Sequence, residues 1–180
     1  MNDLQFIASL SADEARQILQ ILAREDANLA ARIVEMTRRS LKQIDPEEIA
    51  DSVFTDFIGL EVEEVWARSG KTRNGYVDPG EAADSMIDEI FQPYWDEMDK
   101  CQQLGLAEQS LKLCMGLLLG LYNFAILSDS KFKEWAGDLP MQYAQIALSN
   151  WKKGAPSSQD LSEMKAFIQE EEIGWVLQLD

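Results

Sequence analysis

The stretch from Leu104 to Leu127, LGLAEQSLKLCMGLLLGLYNFAIL, decides the fold class of this chain. Its apolar residues occupy almost every side of a helix rather than one face, which is typical of a helix surrounded by other helices. Gly105 separates it from the helical pattern before it. The uncharged run within it, Leu113 to Ser128, is shorter than the roughly 20 residues that a membrane span needs. The stretch therefore predicts a central, buried helix, and no membrane association is expected.

Two glycines lie one turn apart in this helix, at Gly116 and Gly120. A GxxxG pair favours dimerisation when a helix lies in lipid, whereas in a helix surrounded by protein it lets a neighbouring helix approach closely. We therefore expect another helix of the same chain to pack against these two positions.

Helix-starting signals recur on both sides of this stretch. The sequences DPEE at 45–48 and DPGE at 78–81 each place an aspartate cap before a proline at the first helical position, and Ser11 with Glu14 has the form of a capping box. Pro93 predicts a kink or break in the helix that contains it. With the apolar spacing, these signals predict about eight or nine helices, at about 12–24, 26–43, 46–58, 61–68, 79–104, 107–127, 131–136, 141–153 and 160–172.

No segment has a convincing strand period, so the sequence predicts an all-α fold. Helices begin near 46, 79, 107 and 140, a spacing close to that of helix-turn-helix repeats, although the residues themselves do not repeat. Two architectures remain open, an irregular multi-helix bundle and a short array of helical hairpins. We expect one domain over residues 1–180, with 155–158 as a short linker before the last helix.

The two N-terminal helices are amphipathic. The first carries Ile18, Leu19 and Leu22 on one face, and the second carries an apolar face of its own. An apolar stripe on a helix normally faces the core. The sequence therefore predicts candidate core positions in the second helix, at Leu29, Ile33, Met36 and Leu41.

Charge and composition exclude several partners and chemistries. Sixteen Lys and Arg face thirty-two Asp and Glu, so a net charge of −16 should repel nucleic acids and anionic membranes. The chain has no histidine, which removes Ser-His and Cys-His nucleophiles and histidine-ligated metals. Cys101 and Cys114 have neither zinc nor disulfide-framework spacing and are expected to be reduced core residues. These features, with no secretory signal at the start, predict a cytoplasmic protein.

The least regular passage is RSGKTRNGYVDPGE, from Arg68 to Glu81. Its SGKT resembles a phosphate-binding loop, but that motif needs a glycine at position 65, where Val65 stands. A calcium loop fits in part, since Asp78 and Glu81 fall at ligand positions, but the first ligand position holds Gly70. Neither motif is complete.

Three cations of this passage, Arg68, Lys71 and Arg73, precede the start of a helix at Asp78. Unpaired amides and the helix dipole favour an anion at such a place. We therefore regard the three residues as a candidate loop for an anion or a partner's carboxylate. The alternative is that these cations pair with the acidic surface around them.

Residues 45–124 carry a family resemblance. The segment RSGKTRNGYVDPGEAADSMIDEIFQPYWDEM, followed by LGLAEQSLKLCMGLLLGLYNF, resembles a helical segment of bacterial and archaeal proteins that carry a SWIM-type zinc finger, and of related stand-alone proteins of unknown function. The zinc finger is absent from this chain. The resemblance implies a helical interaction module and supplies no catalytic residues.

An enzymatic alternative depends on carboxylates. Two sets of acids at helical spacing are candidate metal ligands: Glu47, Glu48 and Asp51, and Glu81, Asp84 and Asp88. The arrangement is similar to the Mg-binding helices of the all-α nucleotide pyrophosphohydrolases (MazG-like), in which metal activates water against a phosphoanhydride. The same acids also suit helix starts, where they act as caps and dipole partners.

The sequence favours a non-enzymatic role, a helical protein–protein interaction or scaffold module without a cofactor. Its partner is expected to be another protein or a second copy of the chain, with Trp175 as a candidate interface residue because an aromatic on an apolar tail makes a ready anchor. The alternative is a hydrolase of a phosphorylated small molecule that uses Mg or Mn. Metal-holding acids gathered in one pocket would favour the enzyme.

Overall fold

The computed structural model describes residues 3–41, 44–73, 75–135 and 137–174. These residues form ten helices and one short antiparallel hairpin, which confirms the all-α fold class. The elements are α1 (Asp3–Ala8), α2 (Ala12–Glu25), α3 (Ala27–Leu41), α4 (Pro46–Ile58), α5 (Val62–Arg68), β1 (Gly70–Thr72), β2 (Gly75–Val77), α6 (Pro79–Gln103), α7 (Ala107–Leu127), α8 (Lys131–Trp135), α9 (Leu139–Lys153) and α10 (Ser158–Glu170).

The chain divides into two compact units, residues 1–43 and residues 44–180. One domain over residues 1–180 stays a prediction. Helices α2 and α3 have the same apolar periodicity as the core helices, and periodicity identifies an apolar face without identifying what covers it.

The larger unit is built around α7, which contacts α4, α6, α9 and α10. Helices of a repeat array contact only their neighbours in the array. The contact of α7 with α4, from which it is separated by α5, the hairpin and α6, is therefore the pattern of a bundle around a central helix. Buried side chains cover both the early and the late turns of α7, from Leu111 to Phe124, as the opening stretch predicts.

The two glycines of α7 form its contact with α4. A Cβ built at Gly116 would lie 2.6 Å from the Cβ of Ile49, and one at Gly120 would lie 2.7 Å from the carbonyl oxygen of Ala50. One turn further, the rings of Phe57 and Phe124 lie 4.9 Å apart, centroid to centroid. The expected close packing of a helix on this pair is confirmed.

Helix α6 contributes aromatic residues to the same core. Phe91 stacks on Trp95 with centroids 4.9 Å apart and lies 5.1 Å from the ring of Tyr143. The predicted break at Pro93 does not occur, since α6 runs continuously from Pro79 to Gln103. The buried side chains of Phe91 and Met98, on either side of Pro93, anchor both halves of the helix in the core.

The predicted linker at 155–158 is a tight connection. Helix α9 ends at Gly154, Ala155 has a positive φ of 52°, and Ser157 caps α10 with a hydrogen-bonded capping box. The side chain of Gln102 donates to the carbonyl oxygen of Asn150 at 2.9 Å. This bond satisfies a carbonyl of the last turn of α9, which has no partner within its own helix.

Helix α7 is long and apolar enough to cross a membrane by length and composition alone. About 67% of its most apolar window is buried inside the protein, however. The central helix of a packed bundle meets the same criteria, so this finding carries little weight toward a membrane span.

The smaller unit contains α1, α2 and α3. Ser11 and Glu14 form the predicted capping box at the start of α2. Asp26 ends α2 and begins α3, because its backbone N–H donates to the carbonyl of Leu22 while its carboxylate accepts from the backbone N–H of Asn28 at 2.8 Å. Helices α2 and α3 contact each other.

Candidate functional site

The irregular passage at 68–81 folds as a β-hairpin in front of α6. Lys71 pairs with Tyr76, and Gly70 pairs with Val77. Gly70 and Gly75 have φ values of 97° and 135°. The backbone of a residue with a side chain rarely adopts such values. Strands of three residues are too short to show a period, so they cannot be predicted from the sequence.

Arg68, at the end of α5, is held by two glutamates. Its guanidinium donates two hydrogen bonds of 2.8 Å to the carboxylate of Glu89 and one of 2.8 Å to Glu64. These hydrogen bonds, the one to Glu89 first, raise the pKa of Arg68. Arg68 is therefore paired with nearby acids, as the alternative interpretation of this loop expects.

Lys71 and Arg73 are exposed and, among the described residues, form no ion pair. The helix start behind them is already capped: the carboxylate of Asp78 accepts from the backbone N–H of Gly80 at 2.8 Å, and Glu81 accepts from the backbone N–H of Asp78 at 3.3 Å. Both carboxylates are thus engaged in a capping box rather than in a calcium loop. The anion-binding prediction now depends on Lys71 and Arg73.

All six candidate metal-binding acids of the enzymatic alternative lie in the part of the chain that the structure describes. Glu47, Glu48 and Asp51 are exposed on α4, and Glu81 belongs to the capping box of α6. Within the described residues, no three acids or cysteines form a group that could hold a metal ion. The structure therefore does not bring these acids together as the hydrolase alternative requires.

Asp84 and Asp88 lie one turn apart on α6, beside Tyr143 of α9. The hydroxyl of Tyr143 lies 2.6 Å from a carboxylate oxygen of Asp88 and 3.2 Å from the backbone oxygen of Asp84. Burial, followed by the hydrogen bond to Asp88, raises the pKa of Tyr143. Partial burial, followed by the charges of Asp88 and Asp138, raises the pKa of Asp84. The hydrogen bonds of Tyr143 therefore link α9 to α6.

Two open grooves of the larger unit are lined partly by charged side chains. The groove of about 470 Å³ between α7 and α10 is lined by residues that include Lys112, Ser157 and Asp160. Lys112 pairs with Glu108 at 3.0 Å, and Ser157 with Asp160 forms the cap of α10. The groove of about 370 Å³ near Lys131 is lined mainly by the start of α5 and by residues 130–132.

Half of the large apolar side chains that are exposed among the described residues lie in the smaller unit. Ile18, Leu19 and Leu22, which share one face of α2 as the sequence predicts, are 42%, 47% and 39% exposed, and Ile21 is also exposed. In α3, the predicted core position Met36 is exposed, so its assignment to a core is wrong; Leu29 and Ile33 are half-buried, and the side chain of Leu41 lies outside the described residues. The helical pattern that the sequence predicts for both segments is confirmed.

We name this surface the N-terminal apolar face and define it by Ile18, Leu19, Ile21 and Leu22 of α2. Across residues 5–41, none of the side chains that the structure describes is buried. Trp175, the interface residue expected from the sequence, lies outside the described residues.

The two units differ in charge. Residues 1–43 contain six acidic and six basic residues, whereas residues 44–180 contain twenty-six acidic and ten basic residues. The whole net charge of −16 therefore belongs to the larger unit, and the unit with the apolar face is neutral. This division is readable from the sequence once the boundary between the units is known.

No protein-family model, curated protein or solved structure matches this chain. The resemblance of residues 45–124 to the SWIM-associated helical segment therefore depends on the sequence motifs alone.

Proposed function

We propose that this chain is a helical protein–protein interaction module and that its contacting element is the N-terminal apolar face. The observation that carries the proposal is the exposure of four large aliphatic side chains on α2, between 39% and 53% each, in a helix without one buried residue. Contiguous exposed apolar surface of this kind marks interaction sites in folded proteins.

The free energy of covering such a face is substantial. Complete burial of one Leu or Ile side chain contributes about 1.5–3 kcal/mol relative to full exposure. Covering four partly exposed side chains on adjacent turns therefore contributes to association and offsets part of the entropy lost when two proteins come together.

Two further features support a module rather than an enzyme. The resemblance of residues 45–124 implies a helical interaction segment, and the described acids provide no three-ligand metal group. We propose a cytoplasmic location as well, because both cysteines are free and buried, and burial raises the pKa of each thiol.

Site-specific photocrosslinking in cells tests the proposal. We would place a benzophenone amino acid at Leu19, on the apolar face, in the full chain. The matched control carries it at Gln20, on the opposite side of the same helix. We expect an adduct with the mass of an added protein from position 19 and none from position 20. No adduct from position 19, or equal adducts from both positions, would overturn the proposal.

A further inference from the structure

We infer that the N-terminal apolar face is covered by the same face of a second copy of this chain. This inference rests on the proposed function, because it names the partner of the face. Three observations carry it: the lack of burial in the smaller unit, the division of charge between the units, and the size of the face.

The smaller unit lacks a core of its own. Helices α2 and α3 have 14 and 15 residues, and no described side chain of residues 5–41 is buried. Isolated helices of this length are marginal in water, because most helical stability comes from packing an amphipathic face against another element. The two helices therefore need apolar surface from elsewhere, and each copy of the chain carries a matching surface.

The charge distribution selects where two copies meet. Two larger units, each with twenty-six acidic and ten basic residues, repel one another. Two smaller units carry six charges of each sign and have no net repulsion. Contact between copies is thus least opposed at the N-terminal apolar face, whereas a polyanionic partner would be attracted by neither unit.

The face also has the size and kind expected at the centre of a self-complementary contact. Its four large apolar side chains are between 39% and 53% exposed. A standard interface takes about 800 Å² from each partner, so these side chains would form the apolar centre of such a contact rather than all of it. An apolar stripe bordered by charges of both signs can meet its own copy across a two-fold axis, the commonest symmetry of homodimers.

The mass of the full chain in solution, measured by sedimentation equilibrium over a range of concentrations, tests the inference. We expect the wild type to approach twice the 20.4 kDa chain mass. The double variant Leu19→Glu/Leu22→Glu should remain at one chain mass, because it places charge in the contact while keeping helix propensity nearly unchanged. The control Arg16→Gln/Gln20→Glu changes the net charge by the same two units on the opposite side of the helix and should retain the wild-type mass.

Salt provides a second readout. Because the contact is apolar and the remaining interaction between copies is repulsive, added salt should strengthen the dimer by screening that repulsion. A contact made by ion pairs would weaken instead. A wild type that stays at one chain mass at every concentration, a double-glutamate variant that keeps the dimer mass, or a dimer that salt weakens would each overturn the inference.

The two proposals fail separately. If position 19 crosslinks to a different protein while the purified chain has one chain mass, the second copy is excluded and the interaction module stands. If the chain is monomeric and position 19 gives no adduct, both proposals are excluded.

Discussion

Gly120 of α7 faces Val53 of α4 so closely that a Cβ at position 120 would lie 2.7 Å from the Cβ of Val53. The carbonyl oxygen of Ala50 would lie equally close. Real Cβ atoms do not approach other atoms to this distance, so the two helices depend on the missing side chain.

Gly120→Ala should therefore destabilise the protein. In an open helix this change would add about 1 kcal/mol of stability. Here overpacking, which typically costs about 1–3 kcal/mol, dominates because a backbone carbonyl cannot rotate away. Denaturant unfolding would measure the loss. The control Gly59→Ala places its methyl group 3.3 Å from the nearest atom and should cost less; an unchanged midpoint for Gly120→Ala would contradict the close contact.

Two tyrosines should make stability decline at alkaline pH. Burial, followed by the charge of Asp56, raises the pKa of Tyr94 to about 12, and burial with Asp88 also raises the pKa of Tyr143. The unfolded chain loses these protons first, near pH 10. The contribution is therefore complete below pH 10 and is lost as the pH rises from about 10 toward 12. Denaturant unfolding at a series of alkaline pH values would measure it.

The variants Tyr94→Phe and Tyr143→Phe separate these contributions. Each should flatten the alkaline decline while lowering stability at pH 7 by about 0.5–1.5 kcal/mol, since a hydrogen bond is lost. A double variant with the same alkaline decline as the wild type would show that other groups cause it.

Asp84→Asn should slightly stabilise the protein at pH 7. The pKa of Asp84 is raised by partial burial and by Asp88 and Asp138, so its ionised form is disfavoured in the folded state. That cost is present above the unfolded pKa, about 3.9, and disappears below it. For a mostly solvated group we expect less than about 1 kcal/mol. Thermal unfolding at pH 7 and pH 3 would measure the difference.

The same variant tests the metal-dependent alternative. A magnesium- or manganese-dependent stabilisation of the wild type that disappears in Asp84→Asn would favour the carboxylate-metal hydrolase. We expect thermal unfolding of both proteins to be unaffected by either ion.

Ser110→Ala should stabilise the protein or leave it unchanged. The hydroxyl of Ser110 is buried in α7 and has no hydrogen-bond partner within the described structure. Its removal relieves an unsatisfied polar group and improves helix propensity, together about 1 kcal/mol. The control Ser52→Ala, at an exposed hydroxyl that bonds the carbonyl oxygen of Glu48 at 2.9 Å, should gain less. A loss above about 1 kcal/mol in Ser110→Ala would mean that the hydroxyl has a partner.

Local chemistry made most of the fold predictable. The caps at Ser11, Asp45 and Asp78 place the starts of α2, α4 and α6, because a capping side chain and a proline act within one turn. The glycines of α7 predict its close contact, because only small residues permit it. These features need no knowledge of distant parts of the chain.

What the sequence left open depends on long-range placement. Periodicity shows that Leu19 and Leu22 share an apolar face, but only the structure shows that the face is uncovered. The partner of Arg68 that matters most is Glu89, twenty-one residues away, so the candidate loop could not be separated from its ion-pairing alternative by sequence alone. The function of the face is accordingly a proposal.

The contact between Gly120 and Val53 also orders events during synthesis of the chain. These residues are sixty-seven positions apart, so α4 leaves the ribosome well before the helix that covers it. At 5–20 residues per second, the interval is roughly 3–13 s. The apolar side of α4 is unprotected throughout that time, and translation of α7 sets the earliest moment at which the core can close.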